Sequence, residues 1–143
     1  MQTNKNITSG LEDYLEEIYI AHLSETPLKG AELARKLNIS RASVSEALSR
    51  LVKKELITYN RYEAISLTST GIEEAKKVYD KHYIIKNFFE TVLDIPTSEA
   101  GENACKIEHI ISQGILDKMT LFTEFCKNNK ELTDKFKKET IKQ

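Results

Sequence analysis

Apolar residues recur at helical spacing along most of this chain, with one short interruption where they alternate. Leu11, Leu15 and Ile18 form one stripe over 11–19, spaced as one face of a helix. Ala31-Glu32-Leu33-Ala34-Arg35-Lys36-Leu37 predicts a short amphipathic helix, and Ala42 to Lys54 a second, with Val44, Leu48 and Leu51 inward. Between them Asn38-Ile39-Ser40 reads as a turn, since Asn tolerates left-handed backbone and Ser is a good N-cap. Then the period changes. Leu56-Ile57-Thr58-Tyr59 and Ala64-Ile65-Ser66-Leu67 alternate like strands, joined by Asn60-Arg61-Tyr62-Glu63 as a hairpin. Ser69-Thr70-Gly71 opens a long helix to about Leu93, a further helix is expected between Ser98 and Gln113, and Asn128 to Gln143 reads as a final packing helix through Leu132, Phe136 and Ile141. Ile84, Ile85, Phe88, Phe89, Ile110, Ile111, Ile115 and Leu116 exceed what one thin helical layer buries. They are expected to serve as both core and subunit interface.

The order helix, helix-turn-helix, hairpin predicts a winged helix over 1–72, followed by an α-helical domain over 73–143, a mainly α protein. Five Gly and two Pro in 143 residues agree with a helical chain. No apolar run approaches the roughly 18 residues that span a bilayer, and Met1 to Gly10 is polar, without an apolar signal core. The expectation is a cytoplasmic protein with no membrane partner, its two cysteines, Cys105 and Cys126, free thiols.

Charge alters the picture locally. The chain as a whole is near neutral, at −1, but Lys29 to Arg61 holds eight basic residues against three acidic ones, a balance of +5. A basic segment suits phosphate, as it also suits an ordinary solvated helix face. The helix-turn-helix favours the first. Ser40, Arg41, Ala42, Ser43, Ser45 and Glu46 fall on the N-terminal half of the second helix, with Arg50 further along it, where recognition helices meet base edges. Arg61 falls at the tip of the wing.

The second chemical signal is Cys105-Lys106-Ile107-Glu108-His109. Residues three and four apart share a helical face, so a thiol, a carboxylate and an imidazole converge, a set suited to Fe, Mn, Co, Ni or Zn. The same triplet also suits a packed thiol beside two surface residues. Asp13 and Glu16, three apart on the first helix, equally suit an acidic first turn facing the helix dipole. His82, in the middle of the long helix, is by itself an ordinary helical histidine.

Taken in order, Leu11-Glu12-Asp13-Tyr14-Leu15-Glu16-Glu17-Ile18-Tyr19, Leu67-Thr68-Ser69-Thr70-Gly71, the His82 helix and Cys105-x-x-Glu108-His109 resemble the DtxR/MntR family of metal-activated, dimeric repressors of metal-uptake genes. The resemblance covers roughly residues 8 to 125. By length the chain is similar to the two-domain manganese-type members, with no room for the SH3-like domain of the iron-dependent branch. The resemblance implies that Asp13, Glu16, His82, Cys105, Glu108 and His109 are metal ligands. Asp13, Cys105, Glu108 and His109 would form one site, and Glu16 and His82, with Glu108 as a bridge, a second. Manganese-type members carry Glu where this chain has Cys105. Toxin-repressor-type members carry Cys there but Met in place of Asp13, and a carboxylate ligand in place of Lys86. A thiolate moves preference toward softer ions, so the expected cofactor is Fe(II) first and Mn(II) next, with Co, Ni and Zn binding in vitro. The number of ions stays open, as does the operator sequence, because Arg41 and Glu46 are atypical at their positions.

The implied function is a metal-activated repressor that binds palindromic double-stranded DNA as a homodimer. The alternative is a metal-independent winged-helix regulator sensing a small ligand or the redox state of Cys105. An enzyme using Cys105 and His109 lacks any recognisable oxyanion hole or Gly-rich loop, so neither catalysis nor a small organic substrate is expected.

Overall fold

Each helix of the N-terminal half begins or ends where a side chain or a special backbone angle dictates. A computed structural model describes residues 8–141. Residues 1–7, most of the polar segment Met1 to Gly10, and 142–143, the end of the expected tail helix, lie outside them. Helix α1 (Ser9–Leu23) starts at Thr8, whose hydroxyl accepts the Leu11 amide at 3.4 Å. Its stripe of Leu11, Leu15 and Ile18 is buried. Helix α2 (Gly30–Leu37) buries Leu33 and Ala34 and stops at Asn38, which is left-handed at φ 53°. The Ile39 amide then returns to the Ala34 carbonyl at 3.0 Å, closing the helix end. Ser40 caps α3 (Arg41–Lys53) by accepting the Ser43 amide at 3.1 Å. The turn-and-cap reading of Asn38 and Ser40 therefore holds. Helix α1 packs on α2 and α3, and these two pack on each other, around Leu15, Leu33, Leu48 and Leu51.

The hairpin is shorter than its alternation suggests. Strands β1 (Ile57–Thr58) and β2 (Ser66–Leu67) pair antiparallel, Ile57 opposite Leu67 and Thr58 opposite Ser66. Strands over 56–59 and 64–67 are twice that length. The outer residues spend their backbone groups elsewhere. The Leu56 amide closes the end of α3 on the Leu51 carbonyl at 3.0 Å, and the Ile65 amide donates to the Leu28 carbonyl at 2.8 Å.

Helix α4 (Ser69–Thr91) is fastened to the root of this hairpin. The Thr68 amide donates to the Leu56 carbonyl at 3.0 Å. The Thr68 hydroxyl donates to the Glu55 carbonyl at 2.7 Å and accepts the Gly71 amide at 2.9 Å. A Cβ at Gly71 would stand 1.8 Å from the Leu56 carbonyl oxygen. The Leu-Thr-x-x-Gly spacing is thus a backbone crossing that admits no side chain at its last position.

Packing divides the chain into two units after Tyr79, within α4. The second unit contains the rest of α4 with α5 (Thr97–Ile107), α6 (Gln113–Lys127) and α7 (Lys130–Ile141). Ile85, Ala104 and Leu116 lie at its centre, with Ile84, Phe89, Ile107, Ile111 and Met119 around them. Asp94, left-handed at φ 57°, turns the chain after α4 and meets Lys137 of α7 at 3.2 Å.

Two expectations change here. The segment 98–113 is not one helix. Helix α5 ends at Ile107, Glu108 to Ile110 turn, and Ser112 in extended backbone caps α6 by accepting the Ile115 amide at 3.4 Å. Ile110 and Ile115 are consequently 84% and 54% exposed, not core. Helix α6, absent from the sequence reading, carries Leu116, Thr123 and Cys126 on its buried face.

The Gly71 crossing gives a sharp test. Alanine normally stabilises a helix relative to glycine, and Gly10→Ala in α1, with nothing within 4 Å of the new carbon, is expected to be neutral or slightly stabilising. Gly71→Ala should instead cost about 2 kcal/mol or more, read as a lowered urea midpoint. Equal midpoints for the two variants would contradict the close approach.

Candidate metal centre and nucleic-acid interface

The second unit gathers four of the six expected metal ligands. Helix α4 supplies His82. The last turn of α5 supplies Cys105, and Glu108 caps it in helical conformation, φ −55° and ψ −28°. Glu108 therefore keeps the i, i+3 relation to Cys105, while His109 lies in the turn that follows. The Glu108 side chain has no solvent exposure. Its Oε2 lies 2.8 Å from His82 Nδ1, and its Oε1 lies 3.7 Å from His109 Nε2. That second oxygen is buried and accepts no hydrogen bond among the described residues. Cys105 is exposed, and its Sγ lies 3.6 Å from His82 Nδ1.

A buried carboxylate oxygen without a hydrogen bond is costly in a folded protein. A cation placed beside it removes that cost. One carboxylate, two imidazoles and a thiol form a donor set of intermediate softness, matched to first-row divalent ions. The residues present fit such an ion. Asp13, half-buried, and Glu16, only 8% exposed, belong to α1 in the first unit.

Helix α3 presents the other expected site. Val44, Ala47, Leu48 and Leu51 face inward. Ser40, Arg41, Ala42, Ser43, Ser45, Glu46 and Arg50 are all exposed. The Ser40 hydroxyl donates to Ser43 Oγ at 2.9 Å, so Ser43 retains its own proton for another acceptor. Glu46 and Arg50 pair at 3.6 Å. Nearby, the Tyr14 phenol is pushed above its ordinary value by burial first, then by the charges of Glu46 and Asp13, which keeps it a neutral hydrogen-bonding group.

In the wing, the Glu63 amide donates to the Asn60 carbonyl at 2.9 Å, and the Asn60 side chain donates back to Glu63 at 3.1 Å. This clasp projects Arg61 and Tyr62, with the guanidinium 5.5 Å from the Tyr62 ring centre. A cleft of about 400 Å³ separates wing and helix, lined in part by Lys29, Arg41, Ser45, Tyr59, Arg61 and Tyr62. Lys29, Tyr59 and Tyr62 were not singled out from sequence. Lys29 is visible there only as part of the basic count, and Tyr62 as the aromatic beside the wing arginine.

Comparison with known proteins matches both halves in order. Residues 6–65 match the iron dependent repressor N-terminal DNA binding domain, and residues 68–136 the iron dependent repressor metal binding and dimerisation domain. An uncharacterised HTH-type transcriptional regulator of Methanocaldococcus jannaschii is 40% identical over 123 residues, covering 85% of this chain and 98% of that protein. The HTH-type transcriptional regulator MntR of Listeria welshimeri is 25% identical over 130 residues, 91% of each chain. Among solved structures, the manganese regulator SloR is similar with a TM-score of 0.71 and 27% identity, over 80% of this chain. The chain spans about half the length of that structure, 54% of it. None of the helices described is long and apolar enough to cross a membrane. The buried carboxylate with its imidazoles and thiol falls in the half matched to metal binding, the exposed α3 and wing in the half matched to DNA binding, and the chain belongs to the DtxR/MntR family of metal-dependent transcriptional repressors.

Proposed function

We propose that this chain is a cytoplasmic, homodimeric repressor that occupies palindromic operators of metal-uptake genes when Fe(II) or Mn(II) is bound. The observation that carries this reading is the Glu108 carboxylate, fully buried and facing an imidazole with each oxygen. In a family of metal-dependent regulators, that arrangement suits a bound cation, and nothing favours the metal-independent alternative. His82, Cys105, Glu108 and His109 hold the ion from the second unit. Asp13 and Glu16 are assigned as further ligands by resemblance, a role consistent with the near-complete burial of Glu16.

Activation follows from linkage. If the DNA-competent arrangement of the chain binds the ion more tightly, the ion shifts the population toward it. A tenfold preference is worth about 1.4 kcal/mol, so a few extra ligand contacts suffice. Ser40, Arg41, Ala42, Ser43, Ser45, Glu46 and Arg50 are assigned to the major groove and its flanking phosphates, and Arg61 to a phosphate or minor groove beside it. Dimerisation, expected of the second unit, is supported by the apolar surface that α6 leaves exposed in Ile115, Leu121, Phe122 and Phe125. Two such units place paired recognition helices about one helical turn of DNA apart.

The deciding experiment is an anaerobic titration of operator-length DNA with the reduced protein at controlled free Fe(II) and Mn(II). Affinity is expected to rise with either ion. Equal affinity with and without metal rules the reading out. Glu108→Gln and His109→Ala should each abolish the metal response while circular dichroism and sedimentation still report a folded dimer. A response equal to wild type in either variant removes that residue from the site.

The DNA face has its own test. Arg41→Ala and Arg61→Ala are each expected to weaken binding and to lower the dependence of log K on log salt by about one unit. Ser43→Ala should leave that slope alone and change sequence preference instead. Unchanged slopes in both arginine variants would remove these contacts.

A further inference from the structure

The one carboxylate exposed on α3 stands at the centre of its outward face. Val44, Ala47, Leu48 and Leu51 are buried. At 3.6 residues per turn, the line opposite them is Ala42, Glu46 and Ser49, all exposed. Two short side chains thus flank a long one, so a surface that meets this face meets the Glu46 carboxylate first. Arg50 lies 3.6 Å from one of its oxygens, and 71% of the Glu46 side chain stays open to solvent. An acidic group is out of keeping with a basic segment of +5, because it repels the phosphates that the segment suits. We propose that Glu46 selects cytosine in the operator half-site, accepting a hydrogen bond from the N4 amino group. The proposal rests on the assignment of α3 to the major groove and specifies what this helix reads there.

The chemistry of the groove leaves few partners for such a group. An ionised carboxylate only accepts hydrogen bonds. In the major groove guanine offers the acceptors N7 and O6, and thymine an acceptor and a methyl group. Neither can satisfy a carboxylate. Adenine offers its N6 amino group, but with the N7 acceptor beside it. Cytosine offers its N4 amino group without an acceptor of its own in that groove. Glu46 therefore favours cytosine by a charge-assisted hydrogen bond and disfavours the other bases by a desolvated charge left unpaired. Ala42 and Ser49 let the helix approach closely enough for the contact, and Arg50 offsets the repulsion between Glu46 and nearby phosphates.

Selection from randomised duplex DNA by the full chain, anaerobically with Fe(II), reads this directly. Wild type should enrich a half-site with a C·G pair at one fixed position. Changing that pair to A·T should weaken wild-type binding by about tenfold or more. Glu46→Gln keeps the shape and adds a donor, so it should bind the A·T site at least as well as the C·G site. Glu46→Ala should lose discrimination at that position and keep it at the others. Glu46 is exposed, and both variants are expected to keep the wild-type urea midpoint. Identical preferences at every position in wild type and Glu46→Gln would overturn the proposal. So would an equal gain by both variants on all sequences, the mark of a carboxylate that only repels phosphate. Either of these results leaves the DNA-binding regulator standing. Failure of wild type to enrich any sequence with metal present removes the regulator, and the cytosine contact with it.

Discussion

A carboxylate enclosed without solvent must be compensated, and the second unit is organised around that requirement. Glu108 sits at the end of α5 with no exposure, held between His82 on α4 and His109 in the following turn. Ala104, itself wholly buried, lies one turn before it. Two imidazoles can compensate an anion only in part, because each carries a full positive charge only when protonated. A divalent ion would compensate it fully, with the same imidazoles as neutral ligands. Under the proposed function, the cost of burying Glu108 would tie the stability of this region to metal supply.

In the first unit the dominant constraint is satisfaction of the backbone. Thr8, Asn38 and Ser40 end or begin helices by their own side chains or angles. These local devices leave α3 free to commit one face to Val44, Leu48 and Leu51 and the other to solvent. The exposed face is polar without being strongly charged, since Glu46 is partnered by Arg50. Cationic character is concentrated instead in the cleft, where Lys29, Arg41 and Arg61 meet. That division suits a protein that is held by phosphates and reads bases with small polar groups.

Local signals were legible in the sequence, and long-range ones were not. The asparagine and serine of the turn carry their conformations with them, so the helix-turn-helix could be read from residues 31 to 54. The strands were overread because alternation reports which face is buried, while pairing depends on where each amide finds its acceptor. Ile65 finds Leu28, far away in sequence. The segment 98–113 was read as one helix because Ala104, Ile107 and Ile111 keep helical spacing through the turn. Ser112, as N-cap, is the local signal that starts α6. At the candidate metal centre the residue types are readable, but the approach of Cys105 Sγ to His82 Nδ1 joins α5 to α4, which no spacing within one helix encodes.

The fastening of α4 to the hairpin root has a consequence for the entropy of docking. Thr68 ties its own amide and hydroxyl to the Leu56 and Glu55 carbonyls, and Gly71 leaves no slack between them. The wing is thus a short cantilever on a fixed base. The turn from Asn60 to Glu63 is itself clasped end to end. Within that turn the Arg61 side chain already rests on the Tyr62 ring. Ordering a long, mobile arginine at an interface commonly costs about 0.5–1.5 kcal/mol. The ring contact lowers part of that cost in advance, and under the proposed function it would favour a phosphate contact by Arg61.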